Sequence, residues 1–174
     1  IGRRVSFTGS LTVKGIQGHV GYPDLAENPI NSLLKMLEPF SKIYLDKGTN
    51  EFQPSSVMVT TIDVNNDASN VIPGEVKARF NIRFNTLHSV ASLQSMLKNQ
   101  FDSVTKNYDF NYFCNAEPFL TSDEQLKSTL QNAITKVVNV NPQKSTTGGT
   151  SDARFITNLC PVIEFGMVGK TMHK

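Results

Sequence analysis

Residues 76 to 84 place Val76, Ala78, Phe80, Ile82 and Phe84 at alternate positions, with Lys77, Arg79, Asn81 and Arg83 between them. A period of two sends these sets to opposite faces of an extended chain, so the segment is a β-strand with one buried and one polar side. A Pro73–Gly74 turn introduces it. The same rhythm occurs near the start, with Val5, Phe7, Leu11 and Val13 on one face and Ser6, Thr8, Ser10, Thr12 and Lys14 on the other. Two such strands require a covering layer, and the sequence supplies helices. Asn28 followed by Pro29 reads as an N-cap and first helical position, and Ile30, Leu33, Leu34 and Leu37 recur at helical spacing. Pro39 is expected to kink or split that helix, and Gly48 to close it. Val57 to Val64 reads as a strand, Leu93, Met96, Leu97, Phe101 and Val104 as a helical stripe, and Tyr108, Phe110, Tyr112 and Cys114 as a last strand. Strand, helix, strand, strand, helix, strand is the ferredoxin-like βαββαβ order, an α+β domain of two layers.

From Pro118 the texture changes. Thr121 to Glu124 reads as a capping box, and Leu126, Leu130, Ala133, Ile134 and Val137 form a helical stripe. "KSTTGGTSDARFI" then breaks the periodicity, and "PVIEFGMVGKTMHK" reads as a short buried strand entering a glycine-rich loop. One helix, a second after Ser151 and one strand are too little to fold alone, so this region is expected to complete a domain whose other part lies outside the sequence. The opening at Ile1 and the close at Lys174 give the same expectation of a fragment. With 39% apolar residues the chain should bury a real core, and 17 Lys and Arg against 15 Asp and Glu create no general field toward nucleic acid or membrane. No apolar run approaches the roughly 18 residues of a membrane span and no signal peptide opens the chain, so a soluble cytoplasmic protein is expected. Cys114 and Cys160 fit no zinc-knuckle spacing and are expected as reduced, buried thiols.

The remaining polar residues each admit two readings. His19 is a surface residue at a strand end, or an imidazole that Gly18 and Gly21 present to a carbonyl oxygen gaining negative charge. Arg83 belongs to a solvated sheet face beside Lys77 and Arg79, or offers a planar fork to a carboxylate, with Asn70 adding a neutral donor. "STTGGTSD" is a loop of turn formers, or a place where Gly148, Gly149 and the Thr150 hydroxyl receive an anion, with Ser151 capping a short helix. His173 is a candidate metal ligand with no clustered partners in the sequence, and His88 reads as plain surface.

Taken together, "GRRVSFTGSLTVKGIQGHVGYP", "SNVIPGEVKARFNIRF", "STTGGTSDARFI" and "EFGMVGKTMH" resemble the desuccinylase branch of the zinc aminoacylase and carboxypeptidase superfamily. The resemblance implies a ferredoxin-like lid and homodimerisation domain over residues 1–114. Residues 115–174 would then be the C-terminal part of an α/β zinc-peptidase-like catalytic domain. It further implies two zinc ions per subunit, with cobalt as a substitute, and an acylated amino acid as the small-molecule substrate. The implied reaction releases succinate from N-succinyl-L,L-2,6-diaminopimelate; a related deacylation, such as that of acetylornithine, or a role as an isolated binding module is the alternative. By resemblance His19 reaches the partner subunit's site and steadies the oxyanion, and Asn70 crosses the dimer with it. Arg3, Arg83, Gly149 and Thr150 hold substrate carboxylates, and His173 binds zinc. Gly169 departs from the pattern, standing where better-known desuccinylases carry asparagine. Neither nucleic acid nor membrane is an expected partner.

Overall fold

The alternation of the long strands becomes one antiparallel sheet. The computed structural model describes residues 1–166. Its strands are β1 (Gly2–Arg3), β2 (Val5–Lys14), β3 (Gly18–His19), β4 (Ser56–Asp63), β5 (Val71–Ile72), β6 (Glu75–Phe84), β7 (Tyr108–Phe113) and β8 (Phe119–Leu120). Its helices are α1 (Pro29–Leu37), α2 (Val90–Asp102), α3 (Glu124–Val138) and α4 (Ala153–Ile156). The four-stranded sheet has the order β4-β6-β2-β7, and β2 pairs with β6 from Val5↔Phe84 to Lys14↔Glu75. This is the ferredoxin-like arrangement expected from the order of elements. Two short ladders flank it: β1 with β8, and β3 with β5.

The buried face of the sheet meets α1 and α2. Phe7, Leu11, Phe80, Ile82 and Phe84 are fully buried against Leu33 and Met36 of α1 and Leu93, Leu97 and Phe101 of α2. Each such side chain contributes about 1.5–3 kcal/mol relative to exposure, so this layer carries most of the fold's stability. Gly9 lies on the same face, directly opposite Phe80, whose ring fills the space a Cβ at Gly9 would need. That ring sits 5.1 Å from Phe40 and 6.2 Å from Phe110, centroid to centroid. The glycine interrupts the apolar alternation of β2 so that an aromatic from the next strand can cross it.

Local chemistry explains where the elements begin and end. The Asn28 side chain accepts a hydrogen bond from the Ile30 N–H at 3.0 Å, with Pro29 at the first position of α1. The helix gives way at Pro39 to a 3₁₀ turn, Glu38–Lys42, as the proline implied. Gly48 lies beyond that turn and does not close the helix. Ser89 and Ser92 form a reciprocal capping box on α2. On α3 the cap is Asp123, accepting from Leu126 N–H at 2.8 Å, and not Thr121, whose hydroxyl goes to the Val162 carbonyl. The apolar stripe of α3 has no fully buried member.

Further expectations are corrected. Residues 161–166 carry no regular structure, so the short strand is absent among the described residues. Ser151 does not cap α4, whose N-cap Asp152 makes no side-chain cap bond. Cys160 is exposed and Cys114 half-buried; burial pushes the Cys114 thiol pKa up. His88 is not plain surface: its side chain is 19% exposed, and Nε2 lies 3.2 Å from Asp46 Oδ2 without hydrogen-bond alignment.

Asp46 anchors the loop between α1 and β4. Its carboxylate accepts from Gly48 N–H at 2.6 Å, Ser55 N–H at 3.1 Å and Asn85 Nδ2 at 3.1 Å. Ser55 and Asn85 are fully buried. Burial pushes the Asp46 carboxyl up, but the bonds from Ser55, Gly48 and Asn85 together outweigh it and hold the pKa below its ordinary value.

Candidate functional site

Sheet geometry separates the sequence-predicted residues into two groups. Arg83 ends the polar face of β6 opposite Ser6, and its Nη1 donates to Thr150 Oγ1 at 3.0 Å. The bond ties the four-stranded sheet to the glycine-rich loop, residues far apart in sequence. Arg3 on β1 reaches the same loop: Nη1 donates to the Thr147 carbonyl, and Nε donates to Glu164 Oε2 at 2.6 Å. Gly148 has φ +111°, and a Cβ there would collide with the Arg3 guanidinium. Glycine is therefore required twice, by the backbone conformation and by the cation packed over it.

Arg3, Gly148 and Gly149 line a cavity of about 660 Å³ closed on other sides by Lys127, Glu164 and Phe165. A Cβ at Gly149 would meet nothing, so this position opens onto free space. The Lys127 ammonium contacts Glu124 Oε1 at 2.7 Å, and Lys144 lies 3.9 Å from Glu124 Oε2. The lining thus sets three cationic side chains, Arg3, Lys127 and Lys144, against one carboxylate, Glu164, a setting suited to carboxylates.

The second group lies at the other end of β2. The Gly15 N–H donates to the Gly74 carbonyl at 2.8 Å, and β3 pairs with β5 through Gly18↔Ile72 and His19↔Val71. The Val20 N–H donates to the Asn70 carbonyl at 3.1 Å. His19 and Asn70, both exposed, therefore share one tip beyond the end of β2. The Gly21 N–H donates to His19 Nδ1 at 3.0 Å. An accepting Nδ1 leaves the ring proton on Nε2, so His19 presents an N–H donor to its surroundings. Tyr22 packs beside the ring, centroids 5.8 Å apart.

The span from Ser6, opposite Arg83, to Lys14 covers eight residue steps of extended strand, about 26 Å at the usual rise per residue. The pairing of β3 with β5 keeps His19 beyond that end. Within one copy the imidazole does not meet the Arg3–Arg83–Thr150 group.

His173 and Gly169 lie outside the described residues. Among the described residues no group of three or more His, Cys, Asp and Glu side chains is placed to hold a metal ion, so a zinc site would need ligands from outside them. No helix among them is long and apolar enough to cross a membrane. Sequence reasoning did not single out Glu164, Thr147 or Gly148's contact with Arg3. The contacts of Ile1 and Arg3 with "STTGG" join residues 144 positions apart and leave no periodic signal.

Comparison with known proteins matches residues 1–109 to the peptidase dimerisation domain. The whole chain is 49% identical to succinyl-diaminopimelate desuccinylase of Pelagibacter ubique and 47% identical to that of Xanthobacter autotrophicus, covering 46% and 47% of those proteins. The chain thus spans about half the length of the curated relatives it matches. Among solved structures, an aminopeptidase from Bacillus cereus superposes with a TM-score of 0.72 at 16% identity, over 91% of this chain and 42% of that one. A tripeptidase from Staphylococcus aureus gives 0.70 at 15%, over 92% and 43%. At those identities the structures establish a shared fold.

Proposed function

The chain belongs to the peptidase dimerisation domain family, and on that ground we propose that it supplies the lid and part of the catalytic domain of a homodimeric succinyl-diaminopimelate desuccinylase. Residues 1–114 form the lid and residues 115–174 the C-terminal part of the catalytic domain. The whole enzyme hydrolyses N-succinyl-L,L-2,6-diaminopimelate to succinate and L,L-2,6-diaminopimelate.

The observation that carries this reading is the separation of the two groups along β2. An acylated amino acid is far shorter than about 26 Å, so one molecule cannot touch His19 and Arg83 of the same copy. A twofold dimer resolves the mismatch, because each copy can lend its His19 tip to the other's cleft. The 47–49% identity to desuccinylases over the full chain supports the choice of substrate.

The roles follow from the groups each residue presents. Arg3, Arg83, the Thr150 hydroxyl and the Gly149 N–H receive the substrate's carboxylates. When water adds to the scissile amide, its carbonyl oxygen gains negative charge, and the His19 Nε2–H of the other copy meets that oxygen with Asn70 beside it. The C–N bond then breaks, the amine leaves with a proton and succinate is released. Two zinc ions belong to this proposal through the family and through His173; no step here depends on the described residues holding them.

The test is product release by the purified full-length enzyme. Succinate liberated from N-succinyl-L,L-diaminopimelate, at a rate well above acetate from N-acetylornithine, is the expected result. The reverse preference would overturn the substrate assignment.

A further inference from the structure

Arg3 is assigned above to a substrate carboxylate, yet two of its five N–H donors are already engaged inside the chain. Nε donates to Glu164 Oε2 at 2.6 Å and Nη1 to the Thr147 carbonyl, while Nη2 has no partner among the described residues. The pair is largely sheltered, with side chains 23% and 33% exposed. The cavity's two other cationic side chains, Lys127 and Lys144, are turned to Glu124. Among the described residues, Arg3 is thus the one of these three cationic side chains paired with Glu164, a carboxylate of the cavity lining.

A guanidinium is planar, so fixing two of its nitrogens fixes the direction of the third. Gly148 provides the flat surface on which the plane rests, since any Cβ would occupy its place. A carboxylate on one edge and a carbonyl on another thus preset the orientation of the remaining donors. Long side chains otherwise lose up to about 2 kcal/mol of rotamer entropy when a ligand immobilises them.

We propose that Glu164 is the positioning residue for Arg3: it holds the guanidinium on Nε so that Nη2 stays available to a carboxylate-terminated acyl group, and thereby sets the preference for succinyl over neutral acyl substrates. The inference rests on the assignment of Arg3 to substrate. Glu164 acts through Arg3 and does not touch the reacting atoms.

The experiment uses the full-length enzyme, with N-succinyl- and N-acetyl-L,L-diaminopimelate as paired substrates. Glu164→Ala raises KM for the succinyl substrate about tenfold, with kcat within about twofold and little change on the acetyl substrate, because the two diaminopimelate carboxylates are common to both and only the former adds the acyl carboxylate that the proposal gives to Arg3. Glu164→Gln, which keeps a neutral acceptor for Nε, falls between wild type and Glu164→Ala. Equal losses on both substrates would mean that Glu164 does not select the acyl group, whether through a structural role or through an Arg3 that grips a carboxylate common to both, and would overturn the proposal. If Arg3→Ala raises KM for the succinyl substrate while Glu164→Ala leaves it unchanged, the proposal fails and the Arg3 assignment stands. If Arg3→Ala itself leaves that KM unchanged, the Arg3 assignment falls and this inference with it.

Discussion

His19 is the residue on which the proposed chemistry turns, and its exposure is what the proposal requires. An exposed imidazole that takes a hydrogen bond from the Gly21 N–H at 3.0 Å contributes little to its own fold. Its removal should therefore spare stability and strike the reaction. His19→Ala in the full-length enzyme is expected to lower kcat about a hundredfold to a thousandfold, the range for losing one oxyanion donor, with KM within about threefold. Steady-state kinetics beside a thermal melt will show it; a large fall in melting temperature with unaltered kcat would contradict the assignment. Gly9 presents the opposite case, a residue without side-chain chemistry whose replacement disturbs only packing. Gly9→Ala places a methyl group inside the space of the Phe80 ring, and Phe80 is wedged among Phe40, Phe101 and Phe110. Urea unfolding of the full-length enzyme should register a loss of about 1–3 kcal/mol, the usual cost of overpacking, with kcat preserved in the folded fraction.

The loop between α1 and β4 shows how one side chain can stand in for an element. Asp46 satisfies donors from Gly48, Ser55 and Asn85, and the last two residues are fully buried. Asp46→Ala strands those donors and should cost about 1–3 kcal/mol near neutral pH. The folded carboxyl titrates below its ordinary value, so its contribution is complete above about pH 4 and disappears as pH falls through the folded pKa. Denaturation across pH should show the wild-type advantage over Asp46→Ala shrinking toward zero in acid; a gap that widens below pH 4 would exclude this account. The Ser55 and Asn85 bonds were not legible in the sequence, because they link residues 9 and 39 positions apart and leave no period behind. The long strands were legible for the opposite reason: in β2 and β6 each side chain's burial follows from its position alone, as the observed alternation records. Helix α1 was legible to its Asn28 cap, whereas α3 was placed correctly and capped wrongly, since Thr121 and Asp123 offer equivalent local signals. His88 was misread because its cover comes from that same loop. The candidate site divides likewise. Residue types were readable from the motifs, but the Arg83–Thr150 and Arg3–Glu164 contacts join segments 67 and 161 positions apart.

At the scale of the whole molecule, the proposed reading gives one copy two incomplete halves of a site, at opposite ends of the long strand β2. The sheet cannot bend to join them, because β2 is hydrogen-bonded along its length to β6 and over most of it to β7. A shared site makes a prediction that a site within one copy does not. Full-length enzymes carrying His19→Ala and Arg83→Ala are each expected to be nearly inactive as homodimers. In a mixed dimer, the cleft of the His19→Ala copy keeps its own Arg83 and receives an intact His19 from its partner, while the other cleft carries both defects. Random reassociation of equal amounts places about half the molecules in mixed dimers, each with one working cleft of two, so activity should return to about a quarter of wild type. The measurement is succinate release after the two variants are unfolded together and refolded, beside each variant refolded alone. If His19 served its own copy, every cleft in the mixture would lack one group or the other and the mixture would stay as inactive as its parts. Recovery on mixing thus separates a tip that works across the dimer axis from one that works within its own chain.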